Sequence, residues 1–464
     1  MTNNVKRKVI NGLISTLLFS VTVFNLGNTY SINAAESVEG VKNFEIINPY
    51  KTVDWNSFGQ YKAALHMHTN EFDGCQSAKD MIEDCYRKGY DIAAITDHDV
   101  TNTTWDRTDR SSTAYLTSER LNEINSGTDR NGRGMIGIPF STEQSVFDHV
   151  NTYWADFLNG SNATIESKIA ECEELGGISH INHPGGDASS SNCFDGDQIT
   201  EYGTRYVKQY VGLFLKYPSC VGLEVFNAGY GNRESFRLLW DHILMNTMPS
   251  RQVWGFSNDD AHYTTGIGFN FNVMLLPENS EENIRYAMEN GTFYLVASTT
   301  NKPVEDYLTG TDNVTFPVIK NIIVDQNENS ITIAGENYDT IEWIADSKVI
   351  ASGESIDLND YEDKINTYIR AQIKGAGGMT LTQPFGVIEK SSPIKLGDIN
   401  ESGEVNSIDC ALLMKHLLGM AGSKLTGEKL IIADVDGNGT VNVIDLAYMK
   451  KYILGMIKNF PREQ

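Results

Sequence analysis

His66 and His68, in the stretch "AALHMHTNEFDG", stand one residue apart, with Asp73 close behind, in a chain that holds only nine histidines. If residues 61–68 form a strand, side chains alternate between faces, so both imidazoles point the same way and can grip one ion. Residues of the same chemistry close other apolar runs. Asp97 and His98 follow "DIAAIT", Glu143 follows "GMIGIPFST", and His183 ends "GGISHINH". Asn227 follows "VGLEVF", and Asp259, Asp260 and His262 follow "VWGFSN". Strands of a barrel whose carboxyl ends face one pocket produce this distribution. Imidazole and carboxylate together suit zinc, iron or manganese, so the ligand types leave the element open.

The elements that must position these residues follow from the pattern between them. From about 44 to 302 short apolar strands alternate with amphipathic stretches, among them "SAKDMIEDCYRKG", "TIESKIAECEELGG", "SFRLLWDHILMN" and "SEENIRYAMENG". Each begins near Ser, Thr or Asn or ends near Gly, as helices do. This alternation predicts a parallel α/β architecture. Residues 303–390 change character, with alternating runs such as "SITIAG", "TIEWIAD" and "TYIRAQI" between Asn, Asp and Gly turns. They predict a small immunoglobulin-like β-sandwich, followed by a short linker at 391–395. The loop at 185–198, long and polar after His183, reads as a lid or as plain surface.

A chain of 464 residues carrying 61 acidic and 37 basic side chains, a formal charge of −24, is long enough for several domains and is not a general nucleic-acid binder. Lys6, Arg7 and Lys8, then "VINGLISTLLFSVTVF" and the small residues of "SINAAES", predict a cleaved export signal over 1–35 and a secreted chain. No later segment is apolar and long enough to cross a membrane. Six cysteines in so long a chain do not make a disulfide scaffold, and no pairing is assigned.

Near the C-terminus "GDINESGEVNSIDCALLMKHLLG" at 397–419 recurs as "ADVDGNGTVNVIDLAYMKKYILG" at 433–455. Each copy has the grammar of a calcium loop: oxygen ligands at alternate positions, glycine at the sharp turn, and a closing carboxylate. The ligands are Asp398, Asn400, Ser402, Glu404 and Asp409 in the first loop, and Asp434, Asp436, Asn438, Thr440 and Asp445 in the second. A helix follows each loop without one before it, and the closing residue is Asp rather than Glu. This combination, over 396–459, resembles a type I dockerin, the all-α calcium-binding plug that attaches cellulosomal enzymes to cohesin modules of a scaffold. The resemblance implies two calcium ions, a cohesin partner and a place in a cellulosome. It also implies cohesin contacts at Ser407, Ile408 and Lys415 in one repeat and at Val443, Ile444 and Lys451 in the other.

The histidine motifs "HMHT", "ITDHD", "STEQS", "NHPGG", "GLEVFN" and "SNDDAHY" resemble, in order, those of the PHP family, named for polymerase and histidinol phosphatase domains. That resemblance implies a distorted seven-stranded β/α barrel over 44–302 with two or three divalent metals. It assigns one metal to His66, His68, Glu143 and Asp260, a second to Glu143, His149 and His183, and a third to Asp73, His98 and His262. Asn227 is a candidate to touch substrate or to cap a turn, and Asp97, flanking His98, is expected to orient it or a neighbour. His180 competes with His183 for one role and Asp259 with Asp260 for another, His183 and Asp260 being the better matches, while His242 and His416 are expected to be structural.

Clustered divalent ions generate hydroxide near neutral pH and neutralise phosphate oxygens in an in-line displacement, so a metal-dependent phosphoesterase acting on phosphorylated substrates is the expected activity. Arg107 or Arg233 is a candidate to assist with phosphate. Two other readings compete: a polysaccharide-active hydrolase or deacetylase using the same metals, and a non-catalytic binding module.

Overall fold

The computed structural model describes residues 43–185, 190–229, 231–298, 315–390 and 395–463. The expected export signal, most of the linker and the start of the loop after His183 lie outside these residues. Two compact units divide the chain, one within 41–394 and one from 395 onward.

In the larger unit the predicted helices form as Ala78–Arg87, Ile165–Glu174, Glu234–Thr247 and Glu281–Asn290. Ser77, Thr164 and Ser280 each accept a bond from a first-turn amide, which meets donors the helix itself cannot satisfy. Gly291 ends the last of these at φ +71°, a left-handed position that glycine adopts without steric cost. Two further helices, Ser118–Ser126 and Glu201–Lys216, were not evident in the pattern. The second carries two glycines and several β-branched and aromatic residues, yet it buries Val207, Tyr210, Leu213 and Phe214 along one stripe.

The strands do not close into the expected seven-stranded barrel. Among the described residues they divide between an 11-stranded and a 5-stranded sheet, beside a 3-stranded sheet that contains Ser330–Glu336 and a 2-stranded one. The 5-stranded sheet runs Trp254–Asn258, Cys220–Asn227, Ile178–Ile181, Val150–Tyr153 and Thr142–Gln144. Its last three strands pair antiparallel, and Asn270–Leu276 lies antiparallel to Gly59–Ala64 in the larger sheet. These reversals interrupt the all-parallel winding of a regular β/α barrel. At the site end the two sheets meet through isolated bridges, Met67 to Ala261 and His98 to Glu143.

Nor do residues 315–390 stand apart as a sandwich. Gly378–Leu381 pairs with Phe293–Ser298, Phe385–Lys390 pairs with Asn43–Ile47, and both pairs belong to the 11-stranded sheet. The alternating pattern that suggested a separate domain comes from strands such as Ser330–Glu336, with one face buried and the other in solvent. A buried ion pair ties this region to the rest of the unit: Arg370 donates to both oxygens of Asp241 at 2.7 Å, and Tyr368 donates to the same carboxylate at 2.9 Å. None of the six cysteines is in a disulfide. Among the described residues no helix is long and apolar enough to cross a membrane.

The smaller unit contains the helices Ser407–Leu417 and Val443–Ile453, each opened by a capping box, Asn406 with Asp409 and Asn442 with Asp445. A short helix, Glu428–Ala433, precedes the second loop, where the sequence pattern suggested none. Ile399, Leu413, Val435, Met449 and Phe460 form its core.

Candidate metal centre

The strand Gly59–Ala64 delivers His66 and His68 to the interior, both buried, with their Nε2 atoms 3.1 Å apart. Glu143, wholly buried on Thr142–Gln144, lies at the centre. Its Oε1 is 3.3 Å from His66 Nε2, 3.1 Å from His149 Nδ1 and 3.3 Å from His183 Nε2. Its Oε2 is 2.8 Å from His98 Nδ1 and 3.4 Å from His68 Nε2. Asp260 Oδ1 lies 3.4 Å from His66 Nε2 and 3.1 Å from His68 Nε2. Toward the surface, Asp73 Oδ2 is 3.5 Å from His98 Nε2 and 3.3 Å from His262 Nε2. Three ligand groups result: His66, His68 and Glu143; His98, Glu143 and His149; and His68, Asp73, His98 and His262. Relative to the sequence assignment, His98 joins the second group and His68 reaches the third, while Asp260 falls outside the first and His183 outside the second.

The electrostatics suit bound cations. Burial alone would depress His66, but Asp260, Glu143 and Glu224 outweigh it and push its pKa well above the ordinary value. Burial likewise opposes ionisation of Glu143, and the surrounding imidazoles, His66 foremost, hold its pKa well below the usual carboxylate range. Glu143 Oε2 has imidazole nitrogens of His98 and His68 as its neighbours, and His68 Nδ1 is buried without a hydrogen-bond partner. Buried polar atoms left in that state are costly, and coordination is the ordinary remedy for such a donor set.

The alternatives left open by the sequence separate on contact. His180 stacks on Phe256 at 4.5 Å and meets Tyr153 Oη at 3.0 Å, and burial lowers its pKa to about 4, so it is a core residue apart from the cluster. Asp259 accepts from the amides of Gly268, Phe269 and Asn270, which leaves Asp260 to face the imidazoles. His183 and Asp260 both adopt positive φ, 23° and 52°. Non-glycine residues held there concentrate where surrounding structure enforces a functional geometry. His242 lies against Phe194, away from the cluster, and His416, in the smaller unit, accepts from the Leu425 amide.

Asp97 does not face the pocket. Its oxygens accept from the Thr69 amide at 2.5 Å, the Thr69 hydroxyl at 2.9 Å and Asn102 at 3.3 Å, so it fixes the chain just after His68. Asn227 donates to Glu224 at 2.8 Å and to Asp260 at 3.4 Å.

Glu224 was missed by the sequence reading. It accepts from His66 Nδ1 and Asn258 at 2.8 Å through Oε1, and from Asn227 and the His183 amide at 2.8 Å through Oε2. It thereby fixes which His66 nitrogen faces the cluster. Its signal was a carboxylate inside a strand, Cys220–Asn227, that is buried throughout. Asn182, donating to Glu143 at 2.6 Å, was missed too.

A cavity of about 390 Å³ opens onto the cluster, lined by Asp73, His98, His149, His183, Asp260 and His262 among others. Its described lining holds no Lys or Arg. Arg107 is spent on Asp109 and the Thr101 carbonyl, and Arg233 stands at the N-cap position of the helix Glu234–Thr247 without a side-chain capping bond. Beyond the part outside the described residues, the loop after His183 folds as a 3₁₀ turn, Ser190–Cys193, and a small hairpin rather than a free lid.

In the smaller unit Asp434, Asp436 and Asp445 bring carboxylate oxygens together, and Asp434 Oδ1 is buried without a hydrogen-bond partner. The first loop is wound alike: Asp398 accepts from the amides of Ser402 and Gly403, and Asp409 from those of Asn400 and Asn406. Gly403 and Gly439 sit at φ +85° and +82°, where a side chain is disfavoured. Ser407, Ile408, Lys415, Val443, Ile444 and Lys451 are all exposed.

Comparison with known proteins bears mainly on this unit. Residues 396–454 match the model of the Dockerin type I domain. The chain therefore joins an α/β unit with a histidine–carboxylate cluster to a type I dockerin. A 47-residue stretch is 45% identical to the DNA polymerase/3'-5' exonuclease PolX of Bacillus subtilis (strain 168), covering 10% of this chain and only 8% of that protein. Among solved structures, a two-domain protein containing a predicted PHP-like metal-dependent phosphoesterase from Bacteroides vulgatus ATCC 8482 is similar at 15% identity. It covers 74% of this chain and 89% of that one, with a TM-score of 0.37. The ScaB dockerin of Acetivibrio cellulolyticus, solved with the third cohesin ScaC, is 36% identical over 15% of this chain and 94% of that one, with a TM-score of 0.14.

Proposed function

We propose that the chain is a secreted metal-dependent phosphoesterase held on a scaffold through its dockerin, which binds calcium and a cohesin module. One observation carries the catalytic part: three ligand groups drawn from distant parts of the chain lie together at one cavity, two of them sharing Glu143 and the third joined to those two through His68 and His98. Two or three divalent ions, zinc, manganese or iron, would be held there by His66, His68, Asp73, His98, Glu143, His149, His183, Asp260 and His262. Such ions, when bound, make water acidic enough to yield a nucleophile near neutral pH and offset phosphate charge.

The protein's own part is to hold the site in shape. Glu224 orients His66, Asn182 steadies Glu143, and Asn227 bridges Glu224 to Asp260, so the donors are aimed before substrate arrives. The cavity lies within the roughly 300–1,000 Å³ common for small-molecule sites.

The absence of a cation from the described lining gives one reason to keep a second reading, in which an uncharged ester of a polysaccharide, such as an acetyl group, is the substrate. The test is to load the purified chain with manganese, zinc or iron and assay phosphate mono- and diesters beside acetylated glycans. Hydrolysis of phosphoesters abolished by His68→Ala is expected. Release of acetate alone, or phosphoester turnover indifferent to that substitution, would remove the phosphoesterase reading.

A further inference from the structure

The segment between Glu143 and His149 is gripped from inside the fold. Lys168, on the helix Ile165–Glu174, is wholly buried. Its ammonium donates to the carbonyls of Gln144 at 2.8 Å, Val146 at 2.5 Å and Asp148 at 2.6 Å. An ammonium has three donors and is expensive to bury unless they are met. Here alternate carbonyls of a single loop meet them, so the lysine stands as a tripod under that loop. From the far side Asp99, next to His98, accepts from the Ser145 amide at 3.0 Å and its hydroxyl at 2.6 Å. Between the two grips Phe147 is held at φ +61°, a conformation that a bulky residue keeps only under constraint. The loop starts directly after the shared carboxylate and ends at His149, whose Nδ1 lies 3.1 Å from Glu143 Oε1.

We propose that Lys168 is a positioning residue for the metal centre: it sets the backbone of residues 144–148 so that His149 meets the same ion as His98 and Glu143, while touching neither ion nor substrate. The proposal rests on the reading of His149 as a ligand. A helix lysine among apolar neighbours would otherwise be replaceable by any long apolar side chain of similar shape.

The experiment is a calorimetric titration of manganese into the full, calcium-saturated chain stripped of other metals, for wild type, His149→Ala, Lys168→Met and the double variant. Loss of an orienting partner of a metal ligand weakens binding by about 10- to 100-fold. Lys168→Met is expected to lose affinity in that range. The double variant is expected to bind no more weakly than His149→Ala, because both changes act through one ligand. Wild-type affinity in Lys168→Met, with weakened His149→Ala, overturns the role of the lysine and leaves the ligand reading standing. Losses that add in the double variant overturn it too, since general loosening of the fold would add. Wild-type affinity in His149→Ala overturns both. If Lys168→Met does not fold, Lys168→Arg keeps the charge without the tripod. Weakened manganese binding by a folded Lys168→Arg supports the proposal, and wild-type binding overturns it.

Discussion

The two units gather cation-donor side chains by opposite means. In the dockerin the donors are near neighbours in the chain, Asp434, Asp436 and Asp445 on one loop and the helix it opens, and backbone amides curl around them. In the larger unit the donors are imidazoles and carboxylates brought from strands far apart in sequence, buried, and braced by other side chains such as Glu224. A local loop that gathers carboxylates has little to hold it without its ion, so metal binding and folding are one event there. A cluster built on finished sheets has its shape set by packing, so the ion adds chemistry more than structure.

Substitutions can break this contrast, and the largest effect falls on the dockerin. Asp445→Ala removes a proposed calcium-ligand carboxylate together with its half of the capping box that opens Val443–Ile453, leaving Asn442 as the N-cap. Its calorimetric transition is expected to vanish at any calcium concentration, while that of the larger unit stays in place. Glu143→Ala should do the converse: turnover falls on the order of a thousandfold in kcat/KM, about 4 kcal/mol of transition-state stabilisation, with little change in melting. Loss of the fold in Glu143→Ala would show that the cluster is structural and erase the contrast. Asp241→Ala strands Arg370, whose side chain is 3% exposed, and should cost the larger unit about 3–5 kcal/mol in denaturant titrations, whatever the calcium level. The smallest effect belongs to Gly439→Ala. Its φ of +82° makes a β-carbon cost roughly 1–2 kcal/mol, to be seen as weaker calcium binding and a lower dockerin transition.

The same contrast explains what could be read from the sequence. Calcium loops are legible because ligand, turn glycine and cap fall within one short window, and the expected Gly403 and Gly439 do take positive φ. Most of the clustered donors were legible because each follows an apolar run. Glu224 was not, since one acid inside "CVGLEVFN" resembles ordinary strand alternation until both faces prove buried. Asp97 was placed at the chemistry because it adjoins His98, whereas strand alternation turns it toward Thr69. The separate sandwich misled for a related reason: periodicity reports that a strand has one wet face, and says nothing about which sheet receives the other.

The pairing of Asn43–Ile47 with Phe385–Lys390 has a practical side. The two chain ends of the larger unit lie side by side, an arrangement that suits rejoining by a short tether and reopening at a surface turn. A recombinant piece cut at 302 would lack the neighbour of Phe293–Ser298 and bare a sticky apolar edge. The smallest portable block for engineering therefore spans 43–390, and a shorter one is expected to precipitate.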